Sequence, residues 1–279
     1  MKELVRVAAV QLRVAWLDPK ANVERMLALG EEAVRAGPVD VLVYPELSNV
    51  GYVTERDPAF APQYMELAES IPGPTTERLG GFARQHGVWV VVGLCELHPV
   101  VRPSVYNTAV LIGPSGEVVG THRKAHLPAE EKHYFYRGRS LEVWDTELGR
   151  LGLAVCYDAI FPETLRVLAL RGAEIFLCPF NIPREHLPPD MLAHLARTRA
   201  LENRAFVVTC NRVGEQPGLH FFGGSAIADP GGTLLALGDE KERIVSATLR
   251  RDIFVQKRAV HTHFQDRRPD LYGPLVEAD

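Results

Sequence analysis

The chain has 279 residues, 46% of them hydrophobic and 24% charged, with a net charge of −4. This mild acidity argues against nucleic acid as a partner, because phosphate binding needs a basic patch. No apolar run approaches the ~18 residues that span a bilayer, and the first twenty residues carry Arg6 and Arg13 where a signal peptide would be apolar. A soluble cytoplasmic protein is expected. The four cysteines, Cys95, Cys156, Cys178 and Cys210, form no CxxC pair and match no zinc spacing, so free thiols are expected.

In chain order, "VRVAAVQL" (5–12) reads as a buried strand. A helix follows, with Asp18 as N-cap, Pro19 in its first turn and Gly37 closing it. "VDVLVYPE" (39–46) is a second strand, a helix covers about 75–86, and "VWVVVGLCEL" (88–97) is a third strand. "YNTAVLIG" and "EVVGTHRK" flank the turn "PSG" and predict a hairpin. Then come "LGRLGLAVCYD", a helix over about 162–171, the strand "AEIFLCPF", a helix over about 189–203 and the strand "AFVVTCNRVG". A second hairpin surrounds "DPGG" (229–232), and "RIVSATL" is the last core strand. The two hairpins share a layout, which predicts two similar halves with one sheet each. Many strands are apolar on both faces, as in sheets covered by helices. One domain is expected over 1–261, with a polar, proline-broken tail over 262–279 that packs on a neighbouring subunit.

The chemistry starts from "GRLGLAVCYDAIFPETLR" (149–166). Cys156 ends an apolar run, and Pro162 and Glu163 open a helix just beyond it. A thiol there feels backbone N–H groups and some helix dipole, which favours thiolate, and the same groups could hold an oxyanion. A plain core thiol is the alternative, for Cys156 as for the other three. A histidine base is the usual partner of a cysteine, but none of the ten histidines has a telling context. Glu46 ends an otherwise apolar strand, where a carboxylate is costly unless paired or functional. Lys124 ends another. Strand ends at one sheet edge gather in space, so Glu46, Lys124 and Cys156 are able to converge; solvated strand ends are the alternative.

The segments "YPEL", "RKAHLP", "EKHYF", "CYDAIFPE" and "ENRAFVVTCNRVG" resemble the signature segments of the nitrilase superfamily, the carbon–nitrogen hydrolases, in its amidase and carbamoylase branches. The resemblance implies an α/β fold, a four-layer αββα sandwich of two mixed sheets packed face to face with helices outside. It implies no metal or organic cofactor, a Glu46–Lys124–Cys156 triad, and a supporting glutamate at Glu131, with Glu130 as its rival. The implied reaction is hydrolysis of a small neutral carboxamide to acid and ammonia through a thioester on Cys156. Glu46 would move the protons, and Lys124 and the Tyr157 N–H would face the oxyanion. Nitrile or N-carbamoyl-amine hydrolysis on the same triad, and a non-catalytic ligand-binding role, are the alternatives. Asp158 is expected to fix the turn, and Arg166 to make structural ion pairs. Tyr52, Tyr134, Phe135, Phe161, Phe180 and Asn181 are expected to wall the pocket. Ala159 and Ile160 stand where an arginine clamp for a substrate carboxylate would fall. A homo-oligomer, dimer or larger, is also implied.

Overall fold

The computed structural model describes residues 1–53 and 60–277. Its elements follow the chain as β1 (Leu4–Gln11), α1 (Pro19–Ala36), β2 (Val41–Val43), α2 (Phe60–Glu66), α3 (Pro74–His86), β3 (Trp89–Leu97), β4 (Val105–Ile112) and β5 (Val118–Arg123). After these come the short α4 (Glu131–Tyr134), β6 (Val143–Thr146), β7 (Gly149–Leu153), α5 (Pro162–Leu170), β8 (Ile175–Pro179), α6 (Met191–Asn203) and β9 (Phe206–Cys210). The hairpin β10 (Val213–Gln216) and β11 (Leu219–Phe222) precedes β12 (Ala226–Ala228), β13 (Leu234–Leu237), β14 (Arg243–Arg250) and α7 (Arg251–Val260).

The strands build two six-stranded mixed sheets, ordered β14-β1-β2-β3-β4-β5 and β13-β12-β9-β8-β7-β6. From β14, the first sheet pairs antiparallel, parallel, parallel, antiparallel, antiparallel. From β6, the second repeats that series. The two hairpins that look alike in sequence, β4–β5 and β12–β13, occupy equivalent places, and each carries a register shift.

Side chains alternate across a strand. In β1, Val5, Val7 and Ala9 face the second sheet and join its Leu151, Leu153, Ile175 and Leu177 in one core. Ala8 and Val10 face outward and pack on Met26 and Leu29 of α1 and Leu79 and Phe82 of α3. Leu165 and Leu168 of α5 and Leu192 and Ala196 of α6 cover the second sheet. The result is the αββα sandwich. Each fully buried Val or Leu contributes about 1.5–3 kcal/mol by leaving water, which is why strands apolar on both faces need helices on the outside.

α1 starts where expected: the Asp18 carboxylate accepts the Ala21 N–H at 3.0 Å, satisfying one donor of the open helix end. β2 is shorter than the expected 39–46. The Tyr44 N–H still bonds Val91 O, but Leu47 takes a left-handed φ of +49° and the chain leaves the sheet. β6, α2, α4, α7 and the β10–β11 hairpin were not foreseen. β6, α2, α4 and the hairpin are short and carry little periodic signal, whereas α7 is amphipathic, with Phe254 as its buried residue. Among the described residues no helix is long and apolar enough to cross a membrane. Beyond α7, Phe264 lies under the guanidinium groups of Arg166 and Arg258, whereas Leu271, Leu275 and Val276 are exposed.

Candidate active site

Three loop segments meet at the sheet edges. The first is the stretch after β2, which brings Glu46. It runs so close to β3 that a Cβ on Gly93 would lie 2.4 Å from Glu46 Cα. The second leaves β5 with Lys124 and turns into α4 at Glu131. The third leaves β7 with Cys156, and the residues just past β8 hold the first. Here the Glu46 N–H donates to Phe180 O at 3.2 Å, and Asn181 Nδ2 to Glu46 O at 2.9 Å.

Glu46, Lys124 and Glu131 form a fully buried ionic group. Lys124 Nζ donates to Glu46 Oε1 and to Glu131 Oε1, each at 2.7 Å. Asn107 Nδ2 donates to Glu46 Oε1 at 2.6 Å, and the Tyr52 hydroxyl donates to Glu131 Oε1 at 2.8 Å. Glu46 Oε2 is buried with no partner among the described residues. Buried charges are tolerable only when paired in this way. Burial alone would lower the Lys124 pKa, but Glu131 and Glu46 raise it, so the ammonium stays charged. Burial and the neighbouring Glu46 raise Glu131 to about 7, against the pull of Lys124 and Tyr52. Burial, with Glu131 and Glu46 nearby, also holds the Tyr52 phenol well above its usual range, so it remains a donor.

Cys156 takes a φ of +47° at the start of a single 3-10 turn, Cys156–Ile160. This left-handed position is rare outside glycine, and such strain collects at working sites. The first bond of the turn runs from the Asp158 N–H to Val155 O, so the N–H groups of Cys156 and Tyr157 precede it. The thiolate expected from sequence is corrected. Burial, Glu46 and Glu131 push the thiol pKa well above its ordinary value, and only Lys124 and the Asn181 N–H pull it down. These neighbours favour the protonated thiol over the thiolate. Cys95, Cys178 and Cys210 are wholly buried, whereas Cys156 retains 6% exposure.

Asp158 ties two of these segments together. Its carboxylate accepts from His122 Nε2 and His126 Nδ1, both at 2.8 Å. It also accepts the N–H groups of Ala125 (3.1 Å), His126 (2.9 Å) and Val155 (3.2 Å). Burial alone would raise its pKa, but the bonds from His122 and His126 hold it well below the carboxylate range. Lys124 and Cys156 thus sit on backbone locked to one buried anion. The Ala159 and Ile160 carbonyls are held by Arg199 of α6, at 2.7 and 2.6 Å.

The structure brings Tyr52, Tyr134 and Phe135 into one apolar cluster with Leu47 and Tyr64, on the Glu131 side. The edge of His186 meets Tyr52 at 6.4 Å. Phe161 stacks on His126 at 4.1 Å and meets Tyr157 edge-on at 5.1 Å. The Phe180 ring packs in the inter-sheet core, and its carbonyl supports Glu46. Glu130 points to His133, at 3.7 Å, and leaves the lysine to Glu131. Arg166 makes no ion pair within 4 Å among the described residues. It donates to Glu202 O at 2.6 Å and covers Phe264, which corrects the expected pairing.

Sequence reasoning missed Asn107, His122 and His126. Asn107 carries the signal that marked Glu46, a polar side chain in an otherwise apolar strand. The histidines gave no sign, because their partner lies 36 and 32 residues away. Among the described residues no group of three or more His, Cys, Asp or Glu side chains could hold a metal ion.

Residues 6–258 match the family model for carbon-nitrogen hydrolases. The chain is 36% identical over 275 residues to a nitrilase of Pyrococcus abyssi, covering 96% of this chain and 99% of that one. A carbon-nitrogen hydrolase from Helicobacter pylori G27 superposes with a TM-score of 0.88 at 27% identity, over 99% of both chains. A doubly substituted amidase from Nesterenkonia sp. AN1, in complex with acrylamide, superposes with a TM-score of 0.83 at 28% identity, over 98% of both. With that match over nearly its whole length, on a sandwich of two mixed sheets, this chain belongs to the carbon-nitrogen hydrolase family.

Proposed function

We propose that the protein is an amidase that converts a small neutral carboxamide to its acid and ammonia through a thioester on Cys156. The observation that carries this reading is the buried Glu46–Lys124–Glu131 group beside the Cys156 thiol, with Glu46 Oε2 left unpartnered among the described residues. A protonated nucleophile needs a base as it attacks. Glu46 takes the Cys156 proton while sulfur bonds to the amide carbon. Lys124 and the Tyr157 N–H face the resulting oxyanion, where fixed donors in a dry site are worth most. Glu46 passes the proton to nitrogen as the C–N bond breaks, and ammonia leaves. Glu46 then takes a proton from water, the hydroxide displaces sulfur, and the proton returns to the thiolate as the acid departs.

A neutral substrate is supported by charge. Two carboxylates already share the Lys124 ammonium, and Ala159 and Ile160 offer no cation. The Asn181 side chain is held by Glu46 O, with its own Oδ1 buried and unpartnered among the described residues. Asn181 is therefore placed to receive a donor such as an amide NH2. The relative named a nitrilase favours nitriles as a second reading. The test is ammonia release from a panel of amides, nitriles and carbamoyl amines, with Cys156→Ala as control. Amide turnover by wild type alone supports the proposal. Turnover only of nitriles or carbamoyl amines replaces the substrate class, and turnover surviving in Cys156→Ala removes the nucleophile.

A further inference from the structure

Tyr52 reaches Glu131 from a loop rather than from a strand, yet its main chain is buried away from water. Loop backbone in that position needs partners for both its N–H and its C=O. One side chain supplies both. Gln216 Oε1 accepts the Tyr52 N–H at 3.1 Å, and Gln216 Nε2 donates to Tyr52 O at 2.8 Å. The planar carboxamide carries one donor edge and one acceptor edge, so Gln216 does for Tyr52 what a neighbouring strand does for a ladder residue. Gly51, at φ +92°, turns the chain into this contact; a Cβ there would lie 3.4 Å from Gln216 Oε1 and 3.0 Å from Trp16.

Gln216 is itself fixed. It ends β10, in the small β10–β11 hairpin. Arg212 Nη1 donates to the same Oε1 at 2.8 Å, which assigns that atom as the oxygen. Arg212 is fully buried and makes no ion pair within 4 Å among the described residues. Its other bond goes to Val14 O at 2.8 Å, and its plane lies 4.0 Å from the Phe221 ring centroid. A rigid chain of contacts therefore runs from Arg212 through Gln216, Tyr52 and Glu131 to Lys124.

We infer that Gln216 is a positioning residue for the site: it holds the Tyr52 backbone so that the hydroxyl stays on Glu131 and keeps that carboxylate aimed at Lys124. The inference rests on the amidase reading for its kinetic consequence, and on the Gln216–Tyr52–Glu131 contacts for the effect on Glu131. The groups facing Glu131 are Lys124, Glu46, Tyr52 and Asn107, with the Tyr64 phenol and the Cys156 thiol nearby. Of these, Lys124 and Tyr52 draw its pKa down, so a Tyr52 that drifts away lets the carboxylate titrate higher.

The experiment compares wild type, Gln216→Leu, Tyr52→Phe and the double variant, each first checked for cooperative thermal unfolding. Two readouts are taken against pH: amide turnover, and the rate of Cys156 alkylation by iodoacetamide, which needs no substrate. In wild type an inflection is expected near the Glu131 value of about 7. Gln216→Leu and Tyr52→Phe should both move it to higher pH, and the double variant should move it no further than Tyr52→Phe does, since the two act through one contact. Turnover should fall about tenfold or more in Gln216→Leu, as loosened site geometry does elsewhere. If Gln216→Leu does not fold, Gln216→Met serves: it keeps the length of the side chain, adds no charge and loses both bonds to Tyr52, so a shift in the same direction is expected. A wild-type inflection in Gln216→Leu, or full additivity with Tyr52→Phe, overturns the inference. If wild type releases no ammonia but the alkylation inflection still moves as stated, the amidase reading fails and the positioning role stands.

Discussion

Gly93 tests how tightly the fold sets Glu46. It lies in β3, where its N–H donates to Pro45 O at 3.1 Å and its carbonyl accepts the Ser48 N–H at 2.7 Å. A methyl group added there would lie 2.4 Å from Glu46 Cα, 2.7 Å from Pro45 O and 2.9 Å from Leu47 N. Carbon atoms in contact rest about 3.5–4.0 Å apart, so Gly93→Ala leaves Glu46 at least about 1 Å too close. All three obstructing atoms are backbone, and no flexible side chain can turn aside. The loop must move as a unit, and Glu46 must move with it. A shift of about 1 Å in a reacting group costs on the order of 100-fold in rate, while overpacking costs about 1–3 kcal/mol of stability. The assay is kcat/KM for amide hydrolysis together with Tm. Gly81→Ala is the control, because a Cβ at Gly81 in α3 meets nothing within 4 Å. Turnover equal to wild type in Gly93→Ala, with Gly81→Ala also unchanged, would refute the claim that this contact positions Glu46.

Two further predictions use the same site, and a third concerns the tail. Asp158→Ala removes the anion that accepts from His122, His126 and three backbone N–H groups, and should cost about 3–5 kcal/mol, as breaking a buried pair does. Because the folded pKa of Asp158 lies below its unfolded value, this stability is fully present at neutral pH and is lost only as acid brings the pH down through the folded value; thermal melts showing an equal Tm for the two proteins at pH 7 would contradict it. Glu131 has the opposite sign: its folded pKa of about 7 lies above the usual carboxylate value, so its contribution declines as pH rises from about 4.3 toward 7. Glu131→Gln should flatten that decline in denaturant melts, and an unchanged slope counts against it. Deleting residues 262–279 exposes the surface under Phe264 and removes the exposed Leu271, Leu275 and Val276; it should weaken self-association in sedimentation, and an assembly unaltered by the truncation would remove the tail from the interface.

The sequence exposes this fold where burial is two-sided. Strands such as "VWVVVGLCEL" have no polar face, so they demand cover on both sides, and the two look-alike hairpins point to two sheets. Glu46 stood out for the same reason: a carboxylate beside Val41, Leu42 and Val43 has no ordinary place. Asn107 was equally anomalous in β4. Asp158 was legible as the residue that fixes the turn, where it accepts the Val155 N–H, but its histidine partners and the Gln216 contact were invisible because they join residues far apart in the chain. Gln216 pairs with a residue 164 positions away, and a glutamine in a short polar hairpin resembles any surface residue. The thiol's state was misjudged because local sequence gives the turn and its N–H groups, whereas the two carboxylates that oppose ionisation arrive from the other sheet.

The position of β14 has a consequence for how the protein is made. This strand, residues 243–250, lies beside β1 in the same sheet as the segments carrying Glu46 and Lys124, while Cys156 and Asn181 come from the second sheet. A ribosome that has released only the first half of the chain has released Glu46, Lys124 and Glu131 without Cys156. One that has released both sheets but not β14 leaves an unpaired edge along β1. On the proposed reading, Glu46 and Lys124 can meet Cys156 only once both sheets have formed, so a chain halted before β8 lacks the complete site. Appearance of activity during translation would time the docking of the two sheets.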